Sequence, residues 1–182
     1  MLKIVVPATE EFDEQKNEFV YTKEQVLHLE HSLVSLSKWE SKWHKPFFSQ
    51  KKNDKSDVEL LDYIRCMTLT QNVDPSVYLH LTKENQDEIT KYIDDPMTAT
   101  TFSQIQKNVP NREVVTSELV YYWMIAYNIP VEFEKWHFNR LMTLIKICNI
   151  KNQPPKKMGK GEIMRRNTSL NAARRAAMHT KG

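Results

Sequence analysis

The most apolar stretch of the chain spans residues 117–150 and reads SELVYYWMIAYNIPVEFEKWHFNRLMTLIKICNI. Its first part is apolar on nearly all sides of a helix, which predicts a buried helix over residues 117–127. Pro130 begins a second helix over residues 131–149, whose inner face is predicted to consist of Leu141, Met142, Leu144, Ile145 and Cys148. Because the link between the two helices is short, we expect an antiparallel pair at the centre of the domain.

Capping residues predict four further helices upstream of this pair. A Ser or Thr followed three residues later by Glu or Gln typically opens a helix, and Asp before Pro does the same. The predicted helices span residues 23–44 (opened by Thr22 and Gln25 and ended by Pro46), 57–68 (Ser56 and Glu59), 75–79 (Asp74 and Pro75) and 83–93 (Thr82). Most of the chain is therefore predicted to be helical.

Short strands complete the predicted fold. Residues 2–6 and 18–21 flank a polar segment, which predicts an N-terminal hairpin. The Thr-rich residues 97–102 are predicted to form a strand that pairs with Val114 and Val115 across a turn at residues 108–111. The fold class is therefore α+β and mostly α-helical: a compact helical domain with a small N-terminal hairpin and short strands.

Charge divides the chain into an acidic body and a basic C-terminal arm. Residues 151–182 contain nine basic residues and one acidic residue, Glu162, a net charge of +8. The whole chain carries +3, so residues 1–150 carry −5. We predict a folded domain over residues 1–150 and an arm over residues 151–182, with a linker and a helix over residues 162–178. The helix has only a thin apolar stripe, so the arm is predicted to be mobile or to order on a partner.

Several classes of active site are excluded by the glycine content. The three glycines, Gly159, Gly161 and Gly182, all lie in the arm. A glycine-rich phosphate loop, a dinucleotide fingerprint or a nucleophile elbow therefore has no counterpart in the body. His28 and His31 lie three residues apart on a predicted helix but lack a third metal ligand. We expect no catalytic residues, cofactor or metal.

Isolated polar and sulfur-containing residues in apolar runs are expected to be structural. His137, between Trp136 and Phe138, is predicted to be a half-buried histidine with its hydrogen bonds satisfied. Cys66 and Cys148 are predicted to be buried hydrophobic residues. The sequence contains no signal-peptide pattern and no apolar run long enough to span a membrane, so we expect a soluble protein that remains inside the cell.

Two groups of residues are candidates for binding a partner. Aromatic residues alternate with lysines in SKWESKWHKPFF, residues 37–48, and clusters of this kind are typical of interface hot spots. The same aromatics could instead close the base of the domain. The second group consists of the arginines of the arm. The candidate residues are Trp39, Trp43, Phe47 and Phe48 in the body, and Arg165, Arg166, Arg174 and Arg175 in the arm.

Five segments resemble one protein family. They are SLSKWESKWHKPF (residues 35–47), DYIRCMTL (62–69), PMTATTF (96–102), YYWMIAYNIPVEFEKWHFNRLMTLIKICNIKNQPPKKM (121–158) and RRNTSLNAARRA (165–176). They are similar to small tail-module proteins of long-tailed bacteriophages, in particular the tail assembly chaperones encoded just ahead of the tape measure protein. This resemblance implies a non-enzymatic protein of the host cytoplasm, without a cofactor, that binds the tape measure protein and tail-tube subunits during assembly.

Other functions remain open on the sequence alone. The four arginines of the arm could bind phosphates of a nucleic acid, although the acidic body contains no recognisable nucleic-acid motif. The protein could also stay in the virion as a structural tail component. Self-association of the body around a tape measure protein would need two complementary surfaces on each copy.

Overall fold

The computed structural model describes residues 1–13, 17–48, 55–102, 114–153 and 159–180. The chain divides into two compact units, Met1–Asn149 and Ile150–Gly182. Helices predominate, and the strands are short and antiparallel, which confirms the predicted mostly helical α+β class. None of the helices in the described ranges is long and apolar enough to cross a membrane.

Residues 2–13 and 18–29 form a two-stranded ribbon that is interrupted once on each strand. β1 (Leu2–Val6) pairs with β4 (Gln25–Leu29), and β2 (Thr9–Asp13) pairs with β3 (Glu18–Thr22). The register is the same on both sides of the interruption, because Val6 lies opposite Gln25 and Thr9 lies opposite Thr22. Pro7 lies at the break, where its missing N–H removes one ladder donor. We call β1 and β4 the ribbon base, and β2 and β3 the ribbon tip.

This ribbon corrects two predictions. Residues 2–6 pair with β4 rather than with residues 18–21, and the first third of the predicted helix over residues 23–44 is a strand. The spacing of Val26, Leu29 and Leu33 suits a helix, but Leu27 and Leu29 are both fully buried, which is the alternation of a strand. Pairing with β1, across 19 to 27 positions of sequence, decides between the two conformations.

The helix that follows is shorter than predicted and forms the centre of the domain. α1 (Leu33–Trp43) begins at a capping box made by Ser32 and Ser35, rather than by Thr22 and Gln25. It ends at His44, which adopts a left-handed conformation two residues before Pro46. α1 packs against α2 (Asp57–Met67), against α4 (Ser117–Ala126) and against the 3₁₀ helix Val131–Lys135.

The prediction that residues 117–127 and 131–149 form a central antiparallel pair of helices is wrong. α4 makes its main helix contacts with α1 and buries only one side, which includes Val120 and Met124. On its other side, Tyr122 is 63% exposed and Ile125 is 75% exposed. The apolar character of α4 on all sides thus reflects an uncovered surface as well as a buried one.

The predicted second helix is divided by a backbone pairing. The 3₁₀ helix Val131–Lys135 ends before Trp136, and α5 (Phe138–Asn152) begins two residues later. Between them, His137 forms a β-bridge with Ser32, and the N–H of Phe138 donates to the carbonyl oxygen of His31 at 2.7 Å. A continuous helix would have to break this pairing. Leu141 and Ile145 of the predicted inner face are buried, while Met142, Leu144 and Cys148 are half-buried.

The remaining helices confirm the capping predictions. Ser56 and Glu59 form the capping box of α2, and Thr82 with Asn85 caps α3 (Lys83–Asp94). Asp74 caps residues Pro75–His80, which form a 3₁₀ helix. The last helix is α6 (Lys160–Met178), close to the predicted bounds.

The predicted strand over residues 97–102 is wrong, since the structure places no strand there. The segment instead follows a turn held by side chains. The carboxylate of Asp95 accepts the N–H of Met97 at 2.7 Å, and Asn139 donates to the carbonyl oxygens of Ile93 and Asp95. Val114 and Val115 belong to no strand, and the turn predicted at residues 108–111 lies outside the described residues.

Candidate binding surfaces

Two of the predicted partner-binding aromatics belong to the core. Trp39 is fully buried, and its Nε1–H donates to the carbonyl oxygen of Glu59 at 2.8 Å. Phe47 is also buried and packs edge-on against Trp39, with ring centroids 5.3 Å apart. Neither side chain is available to a partner, because α2 covers this side of α1.

The other two aromatics are only partly accessible. Trp43 is half-buried, and its Nε1–H donates to Oδ2 of Asp62 at 2.8 Å. Phe48 is 39% exposed, and its ring stacks on that of Phe138 at a centroid distance of 5.0 Å. The segment therefore closes one side of the domain, which was the second of the two interpretations of its sequence.

A buried carboxylate holds this segment in place. Glu40 on α1 accepts the backbone N–H of Phe47 at Oε1 and that of Ser117 at Oε2, each at 2.7 Å. Ser117 is the first residue of α4, where backbone N–H groups lack intrahelical partners and a negative charge is favourable. Glu40 therefore fastens α1, the segment before residue 48 and the start of α4 together.

The predicted arginines lie on a fully exposed helix. Arg165, Arg166, Arg174 and Arg175 are exposed, and α6 buries none of its residues. Its apolar side chains are uncovered as well: Ile163 is 44% exposed, Leu170 is 45% exposed and Met164 is 73% exposed. Helices in proteins gain most of their stability from packing of an apolar face, and the apolar side chains of α6 remain exposed.

The ribbon tip carries an aromatic surface that the sequence analysis missed. Phe12 on β2 lies directly opposite Phe19 on β3, and their rings meet edge-to-face with centroids 5.0 Å apart. Phe12 is 49% exposed, Phe19 is 58% exposed and Tyr21 is 69% exposed. We call these three residues the aromatic face. The available signal was the run of aromatic and β-branched residues in EFVYT, which is typical of a strand.

The aromatic face continues the alternation that buries the ribbon base. In β1 the even-numbered residues Ile4 and Val6 are buried, and in β4 the odd-numbered residues Leu27 and Leu29 are buried. Phe12 is even-numbered on β2, while Phe19 and Tyr21 are odd-numbered on β3, and the register does not change between the two parts. The base is packed against the body, whereas the same set of positions at the tip remains uncovered.

The segment that carries the aromatic face is acidic, and Glu10 lies on the same side of the ribbon as the aromatic residues. Residues 9–22 contain five acidic residues and one lysine, a net charge of −4. Glu10 lies opposite Tyr21 and accepts its hydrogen bond, which raises the pKa of the Tyr21 hydroxyl. The arrangement suits a partner that offers apolar side chains together with positive charge.

Two histidines form a buried polar cluster beneath the helices. Nδ1 of His31 lies 2.5 Å from the hydroxyl of Tyr63, and the rings of His31 and His137 are 5.1 Å apart. Nε2 of His137 donates to the carbonyl oxygen of Tyr92 at 3.0 Å, so its Nδ1 carries no proton and has no partner among the described residues. Burial, and then the charge of His137, lowers the pKa of His31 to about 3.

The pKa of His137 is also lowered, chiefly by burial. Both histidines are therefore neutral near pH 7, and neither faces solvent. His28 lies apart from them on β4, half-buried. This corrects the view of His28 and His31 as neighbours on a helix. Within the described ranges, no three His, Cys, Asp or Glu side chains gather as metal ligands.

The two cysteines are free and half-buried rather than fully buried. Burial raises the pKa of the Cys66 thiol, which leaves it protonated and weakly nucleophilic.

An apolar cleft of about 450 Å³ separates α2 from α3. Its walls include Leu60, Leu61, Ile64, Ile89 and Ile93, so the cleft suits an apolar side chain better than a polar substrate.

Comparison with protein-family models, with curated proteins and with solved structures finds no match for this chain.

Proposed function

We propose that this chain is a non-enzymatic assembly chaperone of the phage-tail type, which binds amphipathic helical segments of a tape measure protein in the host cytoplasm. The observation that carries the proposal is the aromatic face of the ribbon tip, where Phe12, Phe19 and Tyr21 are all about half exposed or more. A contiguous apolar surface with a polar rim is typical of a protein-binding site.

The aromatic face can receive one side of a helix. The two phenylalanine rings contribute a large apolar area at low entropic cost, because each side chain has only two rotatable bonds. A helical client would place residues spaced three and four apart on these rings. Glu10 would then select clients with a basic residue beside the apolar stripe.

α6 supplies a second uncovered surface for a client. Its exposed apolar residues and arginines could pair with an acidic amphipathic helix, and these contacts would weaken as salt screens the charges. The proposal gives the protein two weak sites rather than one strong one. Weak multiple contacts suit a chaperone that must later release its client.

The proposal is tested by co-expressing the full chain with a fragment of a tape measure protein. We expect the wild type to keep the fragment soluble and to co-purify with it. The ribbon-tip variant Phe12→Thr with Phe19→Thr keeps β propensity but removes the rings, and should lose most of this activity. Tyr122→Ser, which removes an exposed aromatic from α4, is the matched control and should retain it.

The same preparation is tested for nucleic-acid binding by gel shift. The exposed arginines of α6 favour that alternative, which forecasts tight binding with affinity that falls steeply as salt rises. If the protein retains DNA or RNA but has no effect on the client fragment, the chaperone proposal is wrong and nucleic-acid binding is the better interpretation. Equal activity of the wild type and the ribbon-tip variant would show that the aromatic face is not the client site.

A further inference from the structure

The arginines of α6 differ in their relation to its apolar stripe. Arg166, Leu170 and Arg174 follow one another at a spacing of four residues, which places them on one side of a helix. Ile163 lies on the same side, seven residues before Leu170. Arg165 and Arg175 project from the opposite half of the helix at 100° per residue. We call the side with Ile163, Leu170, Arg166 and Arg174 the basic stripe.

The basic stripe and the ribbon tip complement each other in charge. On the facing sides themselves, the basic stripe contains Arg166 and Arg174, and the aromatic face lies beside Glu10. Over the whole segments, α6 has a net charge of +4 and residues 9–22 have a net charge of −4. Each surface also presents apolar side chains that the described structure leaves exposed. Opposite charge with exposed apolar area on both sides is what a specific protein contact requires.

The two surfaces match in length as well. From Ile163 to Arg174 the helix rises by about 17 Å at 1.5 Å per residue. A five-residue strand such as β2 is about 17 Å long at 3.3 Å per residue. The basic stripe can therefore lie along the ribbon tip, with Arg166 between Ile163 and Leu170 and with Arg174 one turn beyond Leu170.

We propose that the basic stripe of one copy binds the aromatic face of a second copy. Ile163 and Leu170 pack on the rings of Phe12 and Phe19, and Arg166 or Arg174 pairs with Glu10. Because each chain carries both surfaces, the contact is head-to-tail and produces rings or open chains. This inference goes beyond the proposed function, since it requires no client.

Charge also decides against symmetric contacts. Two ribbon tips would bring −4 against −4, and two α6 helices would bring +4 against +4. Like charges in a close contact are strongly unfavourable, so neither surface is expected to bind its own kind. The expected partner of the aromatic face is therefore the basic stripe of a second copy of the chain.

The proposal is tested with the full chain by sedimentation velocity over a range of protein concentrations at low salt. We expect the wild type to increase in mass with concentration. Arg166→Glu with Arg174→Glu should weaken self-association by more than about tenfold, because each reversal replaces an attraction with a repulsion. Arg165→Glu with Arg175→Glu makes the same change in net charge on the opposite half of α6, and should associate almost as the wild type does.

A mixing experiment identifies the two surfaces. The ribbon-tip variant Phe12→Thr with Phe19→Thr retains a normal basic stripe, and the stripe variant Arg166→Glu with Arg174→Glu retains a normal aromatic face. Each variant alone should be monomeric, and a one-to-one mixture should form a heterodimer that grows no further. Circular dichroism of each variant checks that its secondary structure matches the wild type.

Three results would overturn the proposal. A wild type that stays monomeric at every concentration has no such contact. Equal loss in the two arginine variants would show that net charge rather than the basic stripe matters. Self-association by the stripe variant alone would point to a ribbon-to-ribbon contact. No client is present in these experiments, so their outcomes do not test the chaperone proposal.

Discussion

The carboxylate of Glu40 accepts the backbone N–H of Ser117 at 2.7 Å, which joins the central helix α1 to the first residue of α4 across 77 positions of sequence. The second oxygen of Glu40 accepts the N–H of Phe47. Both donors are buried backbone groups, so the side chain satisfies hydrogen bonds that water cannot reach.

Glu40→Gln should destabilise the domain by about 1–3 kcal/mol, because the amide nitrogen cannot accept and leaves one buried N–H without a partner. Chemical denaturation with two-state analysis measures the change. Glu88→Gln on the exposed side of α3 is the matched control, and should change stability by no more than about 0.5 kcal/mol. An equal effect of the two substitutions would refute the role of Glu40.

Leu141→Ala should cost about 2–5 kcal/mol, since Leu141 is fully buried and its truncation leaves a cavity. Ile125→Ala removes a comparable apolar side chain from a position that is 75% exposed, and should have little effect. Denaturant titration of the two variants side by side provides the measurement. A loss of less than about 1 kcal/mol for Leu141→Ala would mean that the core readily collapses around this position.

As the pH falls, the protein should begin to lose stability at a higher pH than titration of its carboxylates alone would produce. The folded-state pKa of His31 is about 3, below its ordinary value of 6.5, so the unfolded chain binds a proton that the folded chain does not. Above about pH 6.5, His31 therefore does not reduce the free energy of unfolding. Below that pH, the free energy of unfolding decreases as the pH falls towards 3. The lowered pKa of His137 acts in the same direction.

Glu59 and Asp62 contribute only at lower pH. The hydrogen bond from Lys45 lowers the pKa of Glu59; at Asp62 burial opposes the shift, but the hydrogen bonds from Lys42 and Trp43 prevail. Their ordinary values are 4.5 and 3.8, so the interval from pH 4.5 to 6.5 reports mainly on the histidines. There we expect a slope of about 1 kcal/mol per pH unit from His31.

Unfolding free energies measured at several pH values test this slope. His31→Gln and His137→Gln should each reduce it, whatever their effect on stability at pH 7. His179→Gln, in the exposed C-terminal unit, should leave it unchanged. A flat profile between pH 4.5 and 6.5 for the wild type would show that the buried pair is protonated without penalty.

A chain of residues 1–153, which ends after α5, should unfold cooperatively with nearly the melting temperature of the full chain. Among the residues described after Ile145, none is buried, so the core loses no packing. Differential scanning calorimetry measures the transition. Loss of cooperative melting would mean that the C-terminal unit contributes to the fold of the first.

Local signals in the sequence predicted the helices that begin at Ser56 and Thr82. In both cases the capping side chain and its backbone partner are three residues apart, so the interaction is complete within one short segment. The basic helix α6 was predicted from its composition, which favours a helix, although no side chain caps its start.

Residues 25–29 show where this reasoning fails. Their apolar spacing fits a helix and a strand equally well, and their partner in β1 lies more than 18 residues away. The aromatic face was missed for a related reason, because β2 becomes recognisable as a strand only once its pairing with β3 is known. The break at His137 likewise depends on a bridge to Ser32.

The sequence by itself determined the mostly helical class, the starts of α2, α3 and α4, the acidic body and the basic arm. Only the tertiary structure decided which aromatic residues are accessible: Trp39 and Phe47 are buried under α2, whereas Phe12 and Phe19 remain uncovered at the ribbon tip. Capping, charge and helix propensity act between near neighbours and can be read from local sequence. Burial depends on which distant segments meet, and no single segment carries that information.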